Sequence, residues 1–209
     1  ATKPSQQKTI NDWAAAAMSD KLYFFGTVHP DAEDAFDELE RIKALGLKGI
    51  KLHPDYQGFF ADDERLFPLY RKCAELGLPV IFHAGLDALS MDCIHCTPQM
   101  SAKVHKAVPE MTMILAHLGG NECWDDVEKY LVGEDIYMDT AFIEGHIPDE
   151  QAERIIKNHG ADRILFASDC SWHPSTAEKS LINRLSLTDE EREKIFFKNA
   201  LKLLEEIKR

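Results

Sequence analysis

Short apolar runs alternate along this chain with longer amphipathic stretches, and this alternation leaves few folds open to it. Each run is too short for a typical helix, is rich in β-branched or aromatic residues and is apolar almost throughout. Such runs are typical of strands that are buried on both faces of a parallel sheet. The runs predicted to be strands are Leu22–Val28, Gly49–Leu52, Val80–Phe82, Thr112–Ala116, Ile136–Met138 and Ile164–Ala167.

The stretches between these runs carry apolar residues at helical spacing. Ala32–Leu45, Asp63–Leu76 and Pro148–His159 are each followed directly by a glycine. A glycine just after the last periodic residue is a common helix stop. The last stretch, Asp189–Ile207, is predicted to form one or two helices that close the fold.

The predicted strands end near positions 29, 53, 83, 117, 140 and 169, so they recur every 23 to 34 residues. That interval fits one strand–loop–helix–loop unit and predicts a parallel α/β sheet, either doubly wound or closed into a barrel. No Gly-rich phosphate loop follows any strand, which weakens a dinucleotide-binding interpretation. Six units are visible, whereas a closed barrel of this class has eight.

The carboxyl ends of successive predicted strands carry histidines, and an aspartate follows the last strand. His29, His53, His83 and His117 hold equivalent positions in their units, and Asp169 closes the series. Active sites of α/β folds lie at this end of the sheet, and imidazoles with a carboxylate suit a divalent metal such as zinc. His29 and His53 each precede a proline, and for His29 a loop turn is the favoured interpretation. The spacing therefore predicts a metal or catalytic site.

Composition limits the other classes of function. With 44% hydrophobic residues and no Pro/Gly/Ser-rich linker, residues 1–209 are predicted to form a single domain. A formal net charge of −12 argues against a surface for nucleic acid or anionic membranes. Five cysteines, an odd number, favour a reduced, cytoplasmic protein. Cys93 and Cys96 have the spacing of a zinc or redox pair, but the lack of a second pair makes this a weak candidate.

Four motifs surround the strand-end residues in order along the chain: Gly49–Pro54, Val80–Gly85, Ile114–Gly120 and Arg163–Asp169. Together they resemble the amidohydrolase superfamily, and specifically its amidohydrolase-2 branch, which is related to aminocarboxymuconate-semialdehyde decarboxylase. The resemblance runs from about residue 22 to residue 206. It implies a (β/α)8 TIM barrel in which Leu22–Val28 is the third strand.

The resemblance also implies the contents of the metal site. The family's site begins with a His-x-His pair on the first strand, which this sequence lacks. The first two strands are therefore expected upstream of Ala1, and the metal site is expected to be empty in a chain without them. In the family pattern His83 is a metal ligand, and His117 is a second ligand or a base beside the metal-bound water. Asp169 would touch the metal and accept a proton.

The remaining candidates are expected to bind substrate. Lys51 and His53 fall on the fourth strand of the family pattern and are assigned to the substrate side. Trp172, shortly after Asp169, is expected to line the pocket, although an aromatic residue there can equally serve packing.

The metal-ligand and substrate-side residues together favour a metal-dependent hydrolase, in which a metal-activated water attacks an amide, ester or lactone. Zinc is the expected cation, with manganese and iron as alternatives. The same site can instead protonate the carbon beside a carboxylate and release CO₂, which would make the protein a non-oxidative decarboxylase. An alternative of a different class is a metal-free barrel that serves in binding or assembly. The expected partners are a small-molecule substrate and, as one option, a second copy in a homodimer.

Overall fold

The computed structural model describes residues 1–207, and its centre is one sheet of five parallel strands. Each strand pairs with the next along the chain, in the order β1-β2-β3-β4-β5. A doubly wound sheet reverses its strand order at a switch point, so this uninterrupted order matches part of a barrel wall. The strands are β1 Ile50–Leu52, β2 Val80–Phe82, β3 Met113–Leu115, β4 Tyr137–Asp139 and β5 Ile164–Leu165.

Helices separate the strands, and the four predicted helical stretches all contain helix. Their ends differ from the predicted ones because first turns are irregular or 3-10 helical. A π-helical turn, Lys194–Lys198, joins the last two helices. In residues 1–207 no helix is both long and apolar enough to cross a membrane. The α-helices are α1 Gln7–Ala17, α2 Ala35–Ala44, α3 Pro54–Gln57, α4 Phe67–Glu75, α5 Pro98–Ala107, α6 Trp124–Tyr130, α7 Asp149–His159, α8 Ser175–Arg184, α9 Asp189–Glu193 and α10 Asn199–Ile207.

The two faces of the sheet pack against different partners, because successive side chains of a strand point to opposite faces. One face contributes residues such as Leu52 and Phe82 to the main core, together with the apolar sides of the surrounding helices. On the other face Lys51, Ile81, Ile114 and Tyr137 lie side by side. Ile114 forms a second, smaller core there with Leu203 and Ile207, so α10 packs on the inner face.

The segment Leu22–Val28, predicted to be a strand, runs beside β1 without forming a regular ladder. Gly26 and Ile50 form an isolated parallel bridge. The N–H and carbonyl groups of Gly26 bond to Gly49 and Lys51, both at 2.8 Å. The N–H of Lys48 donates to the carbonyl of Phe24 at 2.8 Å, so these hydrogen bonds involve only Phe24 and Gly26 of the segment. The predicted strand is therefore corrected to an extended segment in the predicted place.

The outer edge of β5 is closed by groups from the C-terminal helices. The N–H of Phe166 donates to the carbonyl of Ile195, which lies in the π-helical turn, at 3.0 Å. The side-chain amide of Asn199 donates to the carbonyls of Ala161 and Ile164, both at 2.7 Å. These groups occupy the side of β5 that faces away from β4, where a further strand would otherwise bond.

Replacing Asn199 by Ala is expected to destabilise the fold, because two buried carbonyls lose their donor. Asn199 is only 5% exposed, so water does not replace the lost hydrogen bonds freely. The expected decrease in the free energy of unfolding is about 1–3 kcal/mol, measured by urea denaturation. Lys202→Ala, on the exposed side of α10, is the matched control. An equal decrease in both variants would contradict the assigned role of the Asn199 amide.

Candidate active site

A cavity of about 480 Å³ opens at the carboxyl ends of the strands. Its volume lies within the range of small-molecule sites. Every site residue predicted from the sequence contributes to its wall: Lys51, His53, His83, His117, Asp169 and Trp172. Residues from β1, from the extended segment and from the loops after β2 to β5 thus converge on one space, as the parallel topology requires.

His117 and His83 form a hydrogen-bonded pair, and a backbone carbonyl fixes the other nitrogen of the His117 ring. Nε2 of His117 lies 3.1 Å from Nδ1 of His83, and Nδ1 of His117 lies 2.8 Å from the carbonyl of Ala141. A carbonyl only accepts, so Nδ1 of His117 carries the proton. In the tautomer with its proton on Nδ1, His117 accepts at Nε2 from Nδ1–H of His83, which leaves a lone pair on Nε2 of His83. That nitrogen is buried and has no hydrogen-bond partner.

A second carboxylate, Asp87, completes a group of potential metal ligands with His53 and His83. One Asp87 oxygen lies 3.6 Å from Nε2 of His53 and 3.8 Å from Nε2 of His83. Among residues 1–207, these three side chains are the group whose ligand atoms all lie within 4.8 Å of one another. Two imidazoles and a carboxylate are a donor set that suits a divalent transition metal, and the unpartnered Nε2 of His83 fits that use.

Ring stacking fixes the orientation of the His53 and His83 imidazoles. The His53 ring stacks on the His83 ring, with centroids 4.2 Å apart and planes at 7°. Tyr56 stacks on the other face of His53 at 3.8 Å. Tyr56 lies on α3, and this helix begins directly after His53 because Pro54 suits the first helical position. The column of rings therefore sets the direction in which the His53 and His83 nitrogens point.

Burial keeps both stacked imidazoles neutral. Desolvation lowers the pKa of His83 to about 2, and the nearby His117, His53 and Lys51 act in the same direction. Desolvation also lowers the pKa of His53 to about 4, with Lys51 adding to the effect and Asp87 opposing it. Metals bind the neutral imidazole, so near neutral pH neither ring must lose a proton before it coordinates.

Lys51 places an amine in the floor of the cavity. It lies on the inner face of β1, and its burial lowers the pKa of the ammonium group, while the charges of Asp139 and Asp169 oppose this shift. A buried amine flanked by carboxylates is a common feature of functional sites. The predicted position of Lys51 on the substrate side of the site stays a prediction, supported by its place in the cavity wall.

Asp139 organises the backbone around His117. Its carboxylate accepts from the N–H groups of His117 at 3.1 Å and Ala141 at 3.0 Å. His117 and Leu118 have φ values of 60° and 52°, in the left-handed region that non-glycine residues seldom adopt. Such conformations persist only where the surroundings fix them. Asp139 is one of the groups that hold His117 in this position.

Asp169 and Trp172 lie where the predicted site opens to solvent. Asp169 also has a positive φ, 59°, and its side chain is exposed. It lines the cavity without belonging to the 4.8 Å group of His53, His83 and Asp87. Trp172 is 76% exposed at the rim. The structure thus brings His83 and His117 into contact and leaves the predicted metal-ligand role of Asp169 a prediction.

Asp87 and Tyr56 are site residues that the sequence did not reveal. Gly85, at φ 85°, lets the loop after β2 pass so close to Asn121 that a Cβ would lie 2.1 Å from its backbone nitrogen. The loop then carries Asp87 back towards His83. An aspartate four residues after a strand-end histidine was the available signal, but its direction depends on this contact with the next loop.

Comparison with known proteins identifies the family. A family model described as Amidohydrolase matches residues 2–205. The chain belongs to this amidohydrolase family. The resemblance inferred from the four motifs is thereby confirmed.

One relative and several similar solved structures carry names that refer to decarboxylation. A 2-amino-3-carboxymuconate-6-semialdehyde decarboxylase of Dictyostelium discoideum is 28% identical over 106 residues, which cover 43% of this chain and 30% of that protein. The match thus spans about a third of the length of that relative. A 5-carboxyvanillate decarboxylase from Sphingomonas paucimobilis superposes with a TM-score of 0.76 at 16% identity, covering 97% of this chain and 73% of that one.

Two further solved structures are similar in fold. A TIM-barrel protein from Bordetella bronchiseptica has a TM-score of 0.78 at 24% identity, covering 95% of this chain and 73% of that one. A dihydroxybenzoic acid decarboxylase from Polaromonas, described with bound manganese, has a TM-score of 0.73 at 20% identity, covering 99% of this chain and 76% of that one. The fold of this amidohydrolase is therefore that of a TIM-barrel wall, and the predicted (β/α)8 class is confirmed for the part described.

Proposed function

We propose that this amidohydrolase-family chain serves in the metal-dependent, non-oxidative decarboxylation of a planar, conjugated carboxylic acid. The observation that carries the proposal is the cluster of His53, His83 and Asp87 in a cavity beside Lys51 and Asp169. The names of the relatives favour decarboxylation over the hydrolysis predicted from the sequence.

The donor atoms of His53, His83 and Asp87 support a metal at their end of the cavity. His53 and His83 are neutral, and Asp87 supplies a negative charge close to both. A divalent cation bound there would supply a Lewis acid that orients and polarises a substrate oxygen. Manganese is the proposed ion, because two of the structural neighbours are described with bound manganese. Zinc, the ion expected from the sequence, is the alternative.

The other residues bind the acid and move the proton. The amine of Lys51 would donate hydrogen bonds to the substrate carboxylate, and Phe142 and Tyr56 would lie against the flat face of the substrate. Asp169, exposed to the cavity and free of the histidine pair, would deliver a proton to the carbon that bears the carboxylate. The carbon–carboxylate bond then breaks, its electron pair restores the double bond that protonation had used, and CO₂ leaves. The reaction consumes one proton and needs no oxidant.

A direct test combines metal loading with two carboxylic acids. The chain would be loaded with Mn²⁺ and incubated with 2,6-dihydroxybenzoate and with 5-carboxyvanillate, which name the relatives' reactions. We expect metal-dependent release of CO₂ from at least one acid, measured together with the decarboxylated ring by chromatography. The metal-stripped chain is the control.

Two other experimental results would contradict the proposal, and each would support a different function. Hydrolysis of an amide, ester or lactone without CO₂ release would restore the hydrolase predicted from the sequence. Failure to bind Mn²⁺ or Zn²⁺, together with no turnover of either kind, would support the metal-free binding protein instead.

A further inference from the structure

Glu178 is a buried carboxylate outside the cavity wall that hydrogen-bonds to one loop of the site and lies close to a second. It lies in the first turn of α8 and is 0% exposed. One of its oxygens accepts from the N–H groups of Ile143 at 2.9 Å and Glu144 at 3.1 Å. The same oxygen lies 2.9 Å from Nδ1 of His173, in the loop after β5. Burial of a carboxylate lowers the stability of the fold through desolvation. An apolar side chain in the same space would not carry this desolvation cost.

The two N–H groups held by Glu178 belong to the turn that orients His117. This turn, residues 141–144, presents the carbonyl of Ala141 to Nδ1 of His117 at 2.8 Å. Asp139 bonds the N–H of Ala141 at the start of the turn, and Glu178 bonds its end. Between them Phe142 has a φ of 55°, a conformation that a bulky side chain adopts only when neighbouring contacts impose it.

Ring contacts connect the same turn to the loop that carries His173. The Phe142 ring lies edge-on to His173, with centroids 5.4 Å apart, and edge-on to His117 at 6.4 Å. Phe142 also lines the cavity. A shift of Glu178 would therefore release both the Ala141 carbonyl and the ring beside His117.

From this geometry we infer that Glu178 is a positioning residue that fixes the tautomer and direction of the His117–His83 pair through the 141–144 turn. The chain of contacts runs from Glu178 to the turn, from Ala141 to His117, and from His117 to His83. This chain of contacts ends at the lone pair on Nε2 of His83. His117 is the direct partner of the proposed ligand His83, and the loss of such a partner commonly changes metal affinity by about 10- to 100-fold. The inference rests on the proposed function only for the identity of the bound metal.

The test compares Glu178→Ala, Glu178→Gln and a matched control in the full chain. Nitrogen NMR of the histidine rings reports the His117 tautomer, and calorimetric titration with Mn²⁺ reports the affinity. Glu178→Ala is expected to give His117 a mixture of tautomers and to weaken Mn²⁺ binding about 10-fold. Glu178→Gln should restore both, because its amide oxygen still accepts from the two N–H groups. Glu38→Ala also removes a buried carboxylate, but the partners Asn11 and Arg41 lie outside the cavity.

An unchanged His117 spectrum in Glu178→Ala would overturn the inference, as would the same spectral change in Glu38→Ala. If Glu178→Ala does not fold, Glu178→Asp replaces it; the shorter side chain withdraws the oxygen from both N–H groups and should give the same His117 change. If the unaltered protein binds no Mn²⁺, the proposed function fails, whereas the tautomer of His117 still decides the role of Glu178.

Discussion

Replacing His83 by Ala is expected to weaken Mn²⁺ binding by about 100-fold or more and to abolish metal-dependent turnover. Nε2 of His83 is buried, unpartnered and fixed as a lone pair by the bond from His83 to His117. The variant removes this nitrogen and also one of the rings on which His53 stacks. Calorimetry with Mn²⁺ and a CO₂-release assay would measure the two effects.

His105→Ala is the matched control for this loss. His105 lies on α5, outside the cavity, and its nearest charged neighbour is Glu134 at 3.9 Å. The control should bind Mn²⁺ as the unaltered chain does. Retained binding in His83→Ala would show that the cation, if any, is held elsewhere.

The second large effect is expected when Asp169 is replaced. Comparison with a variant of Asp87 also distinguishes two assignments of the metal ligands. Asp169→Asn should lower turnover about 10²- to 10⁴-fold, because the amide cannot deliver the proton. The family pattern makes Asp169 a metal ligand, whereas the structure groups Asp87 with His53 and His83. We therefore expect Asp87→Asn to weaken Mn²⁺ binding more than Asp169→Asn does.

Both variants are nearly isosteric, so the comparison isolates charge and proton transfer. Asp162→Asn, at an exposed ion pair with Lys194, controls for the loss of a surface carboxylate. Stronger loss of Mn²⁺ affinity in Asp169→Asn than in Asp87→Asn would reinstate the ligand set His83, His117 and Asp169. Unchanged turnover in Asp169→Asn would remove this residue from the chemistry.

The sequence predicts the strand-end residues well because topology alone determines where they meet. His83, His117 and Asp169 follow different strands, yet parallel order brings their side chains to one edge of the sheet. The same reasoning places Lys51 and His53 in the cavity. No detail of loop structure is needed for these positions.

Loop residues were less predictable because their direction depends on contacts that are distant in sequence. Asp87 lies in a loop that Gly85 brings against Asn121 of the next loop. Glu178 contacts Ile143 across 35 residues of chain, and no periodic pattern reports such a bond. The extended segment around Gly26 shows the reverse case. Its apolar pattern is that of a strand, but it forms only an isolated bridge with Ile50.

The reaction type depends on still finer features. Hydrolysis and decarboxylation use the same kinds of side chain at the same strand ends, so motif spacing does not separate them. The distinction lies in where the proton goes, and that depends on which group faces the substrate carbon. The proposal of decarboxylation rests on the names of the similar proteins and on the position of Asp169 outside the ligand group.

The covered edge of β5 also bears on self-association. A strand edge with free N–H and carbonyl groups can template the addition of a strand from another molecule, which is a route to aggregation. At β5 the Ile195 carbonyl and the Asn199 amide already occupy those groups. Intermolecular strand addition on this side would require the π-helical turn to be displaced first, so the C-terminal helices act as a barrier against fibre-like growth from β5.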